Sequence, residues 1–349
     1  MKTVATIKNQ NFQNGIRRCL SGMLFLILLV TSNNVIAQKQ LNHWWFGINV
    51  EMEWDCSGNY MINSTNNPVK AVAGSFTISD KDGDFLFHIL PTDFNSTSVD
   101  GGIYDNTNTY MQLATGGPAE INLNSGSGAN DAIAVPVGSN VWYAFYSHGI
   151  STNSYDLNYS RIDMSLPGNG TAANPSGEVT SHLNSMGNAN RQGISAVRHA
   201  NGTDYWLLVK KINTIEAYQV SLAGGVSVPI ISSVTLRPAG ATSQASTGKL
   251  AFSADGSKAA WAYGVVDFDI STGLFSNDFI LTQSQEFGNC FSSNCKYLYR
   301  SGKTSGSQTT SQGYLTRYEV STLTATSVPD TIAMSGVQST NNWAPDWVR

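Results

Sequence analysis

Apolar and polar residues alternate along this chain in short runs, and the runs come in pairs around a polar turn. Gly248-Lys-Leu-Ala-Phe-Ser-Ala-Asp-Gly-Ser-Lys-Ala-Ala-Trp-Ala262 reads as strand, tight turn, strand. Asp255-Gly256 supplies the turn, because glycine enters positive φ without a steric penalty. The same shape recurs at Phe76-Thr-Ile-Ser-Asp-Lys-Asp-Gly-Asp-Phe-Leu-Phe87, and then at residues 133–145, 194–209 and 290–299. A sixth copy begins at Asn342-Trp-Ala-Pro-Asp346, where only Trp347, Val348 and Arg349 follow. Period-2 alternation predicts further strands at residues 157–164, 215–220 and 314–320, each lying outside a hairpin. Asn42-His-Trp-Trp-Phe-Gly47 predicts one more strand ahead of the first hairpin. Stretches rich in Gly, Asn and Ser, such as residues 122–129 and 302–311, predict loops. No segment after residue 37 carries helical periodicity. A hairpin returning every 40 to 60 residues marks a repeat architecture of small sheets. The expectation is an all-β fold, a β-propeller of six or seven four-stranded blades, with the last blade incomplete.

Composition narrows the class. Charged residues make up 13% of the 349-residue chain, about half the usual share, and neutral polar residues take their place. Residues 1–37 read as a signal peptide: a basic stretch with Lys8, Arg17 and Arg18, an apolar run from Leu20 to Val30, and small Ala37 ahead of Gln38. That leaves residues 38–349 as one propeller domain. Without the leader the chain has 16 basic and 24 acidic residues, a surface that repels nucleic acid and anionic lipid. The sequence therefore predicts an exported protein, secreted or at the cell surface, with no nucleic-acid partner and no stable membrane insertion once the leader is removed. Export permits disulfides. Cys290 and Cys295 flank the turn of the fifth hairpin and are the candidate pair, with two small buried residues as the alternative.

Several motifs, in order, resemble one family. Asn42-His-Trp-Trp-Phe-Gly47, Ser79-Asp-Lys-Asp-Gly-Asp-Phe-Leu-Phe87, Tyr159-Ser-Arg-Ile-Asp-Met164, Ala196-Val-Arg-His-Ala-Asn-Gly-Thr-Asp-Tyr-Trp206 and Phe268-Asp-Ile-Ser-Thr-Gly273 are the segments that carry the likeness. Together they resemble the N-terminal, WD40-like propeller region of large Bacteroidetes proteins exported by the type IX system and linked to gliding-motility-type sorting domains. The resemblance implies an architecture and a location. It implies no defined activity.

Local signatures of chemistry are sparse. Asp80, Asp82 and Asp84 alternate around Gly83 like the start of a calcium loop, but Phe85-Leu-Phe87 turns at once into a strand and no later acid completes the set. The expectation is a solvated turn and no cofactor, with calcium as the alternative. His199 sits at a hairpin turn beside Arg198. It is either a ligand contact at one propeller face or a turn histidine bonded to its own blade, and the second is expected. The five histidines form no His-x-x-x-His pair, and no Gly-x-Ser-x-Gly elbow is present. The reading is a non-catalytic interaction module that binds a protein or glycan, and not an enzyme. The alternatives are a carbohydrate-active enzyme with two carboxylates facing across the channel, and a structural spacer in an adhesin.

Overall fold

The computed structural model describes residues 43–48, 50–54, 59–64, 70–71, 75–90, 101–121, 132–151, 154–189, 193–211, 214–232, 234–236, 249–281, 286–303 and 313–334. The expected leader, the sixth hairpin copy, Cys56 and the loop at 122–129 lie outside them. The described residues are nearly all β, with a single 3-10 turn at Val320–Thr322.

Twenty-five strands form six sheets, in which hydrogen-bonded neighbours are almost all antiparallel. The first sheet runs β3–β2–β1–β4, from β1 (His43–Ile48), β2 (Val50–Trp54), β3 (Tyr60–Ser64) and β4 (Lys70–Ala71). The second holds β5 (Phe76–Ser79), β6 (Phe85–Leu90) and β7 (Gly102–Asp105). The third has β9 (Ala132–Pro136), β10 (Val141–Ser151), β11 (Ser154–Asp163) and β12 (Glu178–Ala189), with short β8 (Gln112–Leu113) added parallel to β12. The fourth has β13 (Ile194–Arg198), β14 (Tyr205–Lys210), β15 (Ile215–Ser221), β16 (Gly225–Val226) and β17 (Ile230–Ser232). The fifth is β18 (Ala251–Phe252), β19 (Lys258–Ala260), β20 (Gly264–Phe268) and β21 (Phe275–Ile280). The sixth is β22 (Glu286–Phe291), β23 (Tyr297–Lys303), β24 (Gly313–Glu319) and β25 (Asp330–Met334). The five expected hairpins are β5–β6, β9–β10, β13–β14, β18–β19 and β22–β23.

The sheets stack face to face, and strand alternation dictates how. Successive side chains on a strand point to opposite faces, so a strand apolar at every position needs a neighbour on each side. On β10, Trp142, Ala144 and Tyr146 pack with Phe87, Ile89 and Ile103 of the preceding sheet. Tyr143 and Phe145, one position out of phase, pack with Leu207, Val209 and Val220 of the following sheet. On β14, Trp206 and Leu208 turn the other way, toward Trp261, Val266 and Phe268. Ala260 and Val265 continue the series to Leu298 and Tyr318. The first strands follow one another in space as in sequence: β5 adjoins β9, β9 adjoins β13, β13 adjoins β18, and β18 adjoins β22. The described architecture is β-propeller-like.

One turn closes four of the hairpins. Gly83, Gly202, Gly256 and Cys295 each donate a backbone N–H to the carbonyl three residues back, at Asp80, His199, Ser253 and Ser292. All four have positive φ. Ser253 Oγ donates to Asp255 Oδ1 (2.6 Å) and accepts from the Lys258 N–H (3.0 Å). Ser292 Oγ repeats this with Asn294 Oδ1 (2.8 Å) and the Tyr297 N–H (2.9 Å). The turn satisfies its own polar groups without help from the rest of the fold.

Candidate functional site

The residues singled out in the sequence are mostly used up by these turns. Asp80 Oδ1 accepts the N–H groups of Asp82 (2.8 Å) and Asp84 (2.9 Å), while Asp82 contacts Lys81 at the surface. Among the described residues no three acidic, His or Cys side chains gather as cation ligands would. His199 Nδ1 accepts the Asn201 N–H (3.0 Å), and its ring stacks on Trp206 at 5.2 Å. Arg198 is exposed and lies over the Tyr205 ring, 5.9 Å from its centroid.

The candidate disulfide is corrected: Cys290 and Cys295 are both free thiols. Cys290 Sγ donates to the Phe291 carbonyl (3.3 Å). Cys295 occupies the turn position that glycine fills elsewhere, at φ 57°, and its thiol is bonded to the Asp255 carboxylate of the neighbouring sheet. Being close to the same turn does not aim the two sulfurs at each other.

Buried polar groups were harder to find from sequence. Asp105 is the buried carboxylate among the described residues. Its Oδ1 accepts from the Thr107 N–H (2.8 Å) and Oγ1 (2.7 Å), and its Oδ2 accepts from Asn169 Nδ2 (2.7 Å).

A serine and a histidine do meet. Ser160 Oγ lies 2.9 Å from His182 Nδ1, and His182 Nε2 lies 2.8 Å from the Glu120 carbonyl. A carbonyl can only accept, so Nε2 carries the proton and Nδ1 accepts from Ser160. Ser160 then accepts from the Tyr146 hydroxyl at 2.7 Å. Burial holds the His182 pKa below its ordinary value and pushes Tyr146 up. Ser160 is fully buried and every atom of the chain is matched, so the relay ties β10, β11 and β12 to the segment that holds Glu120 and leaves no nucleophile exposed.

Arg300 is different. It lies on β23, directly opposite Asn289 on β22, and is fully buried. Its Nε donates to Asn289 Oδ1 (2.9 Å), and its Nη2 donates to the carbonyls of Trp261 (3.0 Å) and Ala262. Asn289 Nδ2 in turn donates to the Lys249 carbonyl at 2.8 Å, just ahead of β18. Ala262 and Tyr263 form the tip of the β19–β20 hairpin, which is buried although such tips normally face water. Arg300 therefore feeds carbonyls that have no water. Its Nη1 has no hydrogen-bond partner among the described residues, and no carboxylate there lies within ion-pair distance. Among the described residues this is a buried cation whose acceptors are all neutral, on the second strand of its sheet. The local pattern around it, Tyr-Leu-Tyr-Arg, is an ordinary strand with one long polar residue on its buried face. Nothing in that pattern shows that the partner across β22 is an amide and not an acid.

No protein-family model matches the chain, and no curated protein sequence matches it. Among solved structures it is similar to the periplasmic gluconolactonase PpgL of Pseudomonas aeruginosa, at 13% identity over 85% of this chain and 80% of that one, with a TM-score of 0.44. A second is a candidate 6-phosphogluconolactonase of Bacteroides fragilis, at 13% identity over 85% and 81%, with a TM-score of 0.43. A third is the hydrazine synthase of Kuenenia stuttgartiensis, at 11% identity over 78% and 71%, with a TM-score of 0.37. The expectation of a non-catalytic interaction module, and of no enzyme, stands against the descriptions of these similar structures, which are those of enzymes. Hairpin repeats and turn chemistry specify a scaffold, and scaffolds of this kind are shared by binders and catalysts alike. Among the described residues, no helix is long and apolar enough to cross a membrane.

Proposed function

We propose that this chain is an enzyme that hydrolyses small cyclic esters of sugar acids, built on a closed ring of six blades in which the β1–β4 sheet stands next to the β22–β25 sheet. The order of the blades is supported by the first strands adjoining in chain order from β5 to β22, with β1 beside β5. The exported, Bacteroidetes-like character implied by residues 42–47 and 79–87 belongs to the same proposal.

One observation carries the catalytic reading: the buried Arg300 guanidinium, matched only by neutral acceptors and holding an uncommitted Nη1. A buried N–H without an acceptor costs about 1–3 kcal/mol, and Arg300 Nη1 is the charged one among several such atoms of the described residues. Hydrolysis of a lactone creates the matching charge. The oxygen of water bonds to the ring carbonyl carbon, and the carbonyl π electrons move onto its oxygen. That oxygen now carries a negative charge, and Nη1–H would donate to it once the buried β19–β20 tip at Ala262 and Tyr263 moves to admit the substrate. When the C=O bond re-forms, the ring C–O bond breaks and its electrons leave on the ring oxygen. This oxygen takes up a proton from the attacking water, and the new acid releases the other. The balance is one lactone and one water to one hydroxy carboxylate and one proton. Preorganised donors for such a charge are worth about 100- to 1,000-fold in rate.

The test is proton release from glucono-δ-lactone by the purified protein, measured above the spontaneous rate. The expected result is saturable turnover, with Arg300→Gln lowering kcat/KM by about 100-fold while a folded circular-dichroism spectrum is kept. Arg300→Lys, which keeps the charge and loses the fork, should fall between. Absence of turnover by the folded wild-type protein, or an Arg300→Gln protein as fast as wild type, overturns the reading.

A further inference from the structure

We propose that Tyr146, Ser160 and His182 form an acid-sensitive latch on strand β12. The latch holds a strained bulge at Leu183 at neutral pH and releases it when His182 takes up a proton.

Strand β12 has an edge to guard. Among the described residues, β8 covers it only at Glu178 and Val179, so from Thr180 onward its outer side has no partner strand. Such an edge invites pairing with a further strand, and a bulge blunts it. Tyr159 pairs with Asn184 and Arg161 with Ser181, so His182 and Leu183 together stand opposite Ser160. Leu183 sits at φ 53°, a left-handed conformation that strains a leucine, and its side chain is exposed. The strained backbone is held by the bond from the Leu183 N–H to the Tyr146 hydroxyl, and by the adjoining His182 ring, which is tied at both nitrogens.

The proton count makes the latch sensitive. The donors run in one direction: Leu183 N–H to Tyr146, Tyr146 O–H to Ser160, Ser160 O–H to His182 Nδ1, and His182 Nε2–H to the Glu120 carbonyl. Each hydroxyl proton has an acceptor because Nδ1 is bare. A proton on Nδ1 turns that nitrogen into a donor toward Ser160. One hydroxyl proton, on Ser160 or on Tyr146, then has no acceptor among the described residues. Both residues are fully buried, so water does not take it up. Relief comes from the strained side: as Leu183 leaves its bulge, water reaches the two hydroxyls.

His182 itself is half-buried, so a proton can reach it from solvent. Burial keeps its pKa below the ordinary 6.5, which puts the release on the acid side. The groups facing it are Tyr146 from β10, Ser160 from β11 and the Glu120 carbonyl. Nearby charges are engaged elsewhere. Arg161 donates to Thr180 Oγ1 (2.9 Å), Asp156 accepts from Ser185 Oγ (2.5 Å), and Glu178 accepts the Gly168 N–H (3.1 Å). On the facing sheet Asp105 accepts from Thr107 and Asn169, and His88 lies between Phe85 and Tyr104.

The experiment is amide hydrogen exchange by NMR on the full-length protein at pH 7.5 and pH 4.5, corrected for the intrinsic pH dependence of exchange. Protection of the Leu183 amide should fall about 10-fold or more at pH 4.5, while that of Leu207 on β14 stays within about 2-fold. His182→Asn puts a fixed acceptor where Nδ1 stood and cannot titrate, so its Leu183 amide should be equally protected at both pH values. Tyr146→Phe removes the hydroxyl that accepts the Leu183 N–H, so that amide should be weakly protected at both. Equal protection of Leu183 at the two pH values in the wild-type protein overturns the proposal. A fall of the same size in His182→Asn also overturns it, because the titrating group then lies elsewhere. Where His182→Asn does not fold, the wild type decides alone. Its Leu183 amide shift and His182 imidazole should titrate with one midpoint below 6.5, and separate midpoints overturn the latch.

Discussion

His88 and Arg300 are both fully buried basic side chains on the second strand of a hairpin, and the fold deals with them in opposite ways. His88 lies between aromatic rings, stacked on Phe85 at 5.7 Å and on Tyr104 at 4.9 Å. Burial pushes its pKa down to about 3, with Asp105 opposing, so at neutral pH it is an uncharged ring among rings. A histidine can give up its proton and an arginine cannot. Arg300 keeps its charge and must be fed acceptors, and the fold provides neutral ones. The difference teaches where function belongs. A group that can discharge itself becomes core, and one that cannot becomes either a staple or a site.

The comparison can be broken in four places, taken from the largest effect to the smallest. Arg300→Leu removes the donor for Asn289 Oδ1 and for two buried carbonyls, and should cost about 5 kcal/mol in urea unfolding, equally at pH 5 and pH 8. A cost under about 1 kcal/mol would show that the carbonyls find other donors. His88 should act only in acid. Its folded pKa is lowered from 6.5 to about 3, so between those values the unfolded chain holds a proton that the folded chain lacks. Its contribution is complete above pH 6.5 and is lost as pH falls toward 3, by about 5 kcal/mol in total. His88→Phe should flatten that slope and leave stability at pH 8 nearly unchanged. An equal slope in both proteins would place the titration elsewhere.

Ser160→Ala sharpens the contrast from a third side, because it orphans the Tyr146 hydroxyl and His182 Nδ1 together. The expected cost is about 2 kcal/mol, and Tyr146→Phe in the same background should recover part of it. The fourth pair sets the floor for changes remote from buried charge. A Cβ on Gly256, at φ 73°, would meet Ile270 Cγ2 at 2.7 Å and Val197 Cγ2 at 2.8 Å. One on Gly202, at φ 77°, meets nothing within 4 Å. Gly202→Ala should cost about 1 kcal/mol from backbone strain alone, and Gly256→Ala about twice that, read as a difference in Tm.

Most of the scaffold could be read along the chain because its information is local. The turns at Asp80, Asn201, Asp255 and Asn294 satisfy themselves within six residues, and the strands beside them alternate apolar residues toward both neighbouring sheets. The N-terminal aromatic run likewise forms β1. The candidate site was not legible, because its parts are 40 residues apart and meet only across two sheets: the Lys249 carbonyl, the Trp261 and Ala262 carbonyls, Asn289 and Arg300. Three of those contributions are backbone oxygens, which no sequence pattern advertises. His199 and Arg198 drew notice by their types and turned out to serve a turn and a surface ring. The cysteine pair misled for a related reason, since spacing along a hairpin does not tell which way a residue at positive φ aims its sulfur.

Each of the six described sheets is drawn from one unbroken stretch of chain, and the pairings that reach across another strand, β1 with β4, β8 with β12 and β15 with β17, stay within their own sheet. During synthesis, each sheet can therefore complete itself as soon as its last strand emerges, and then offer one apolar face as a template to the next. The exposed face moves forward along the chain like the growing end of a stack, and is at every moment only one sheet wide. A protein ordered this way is assembled in the direction in which it is read, and a halt at any sheet leaves a shorter stack with its end faces uncovered.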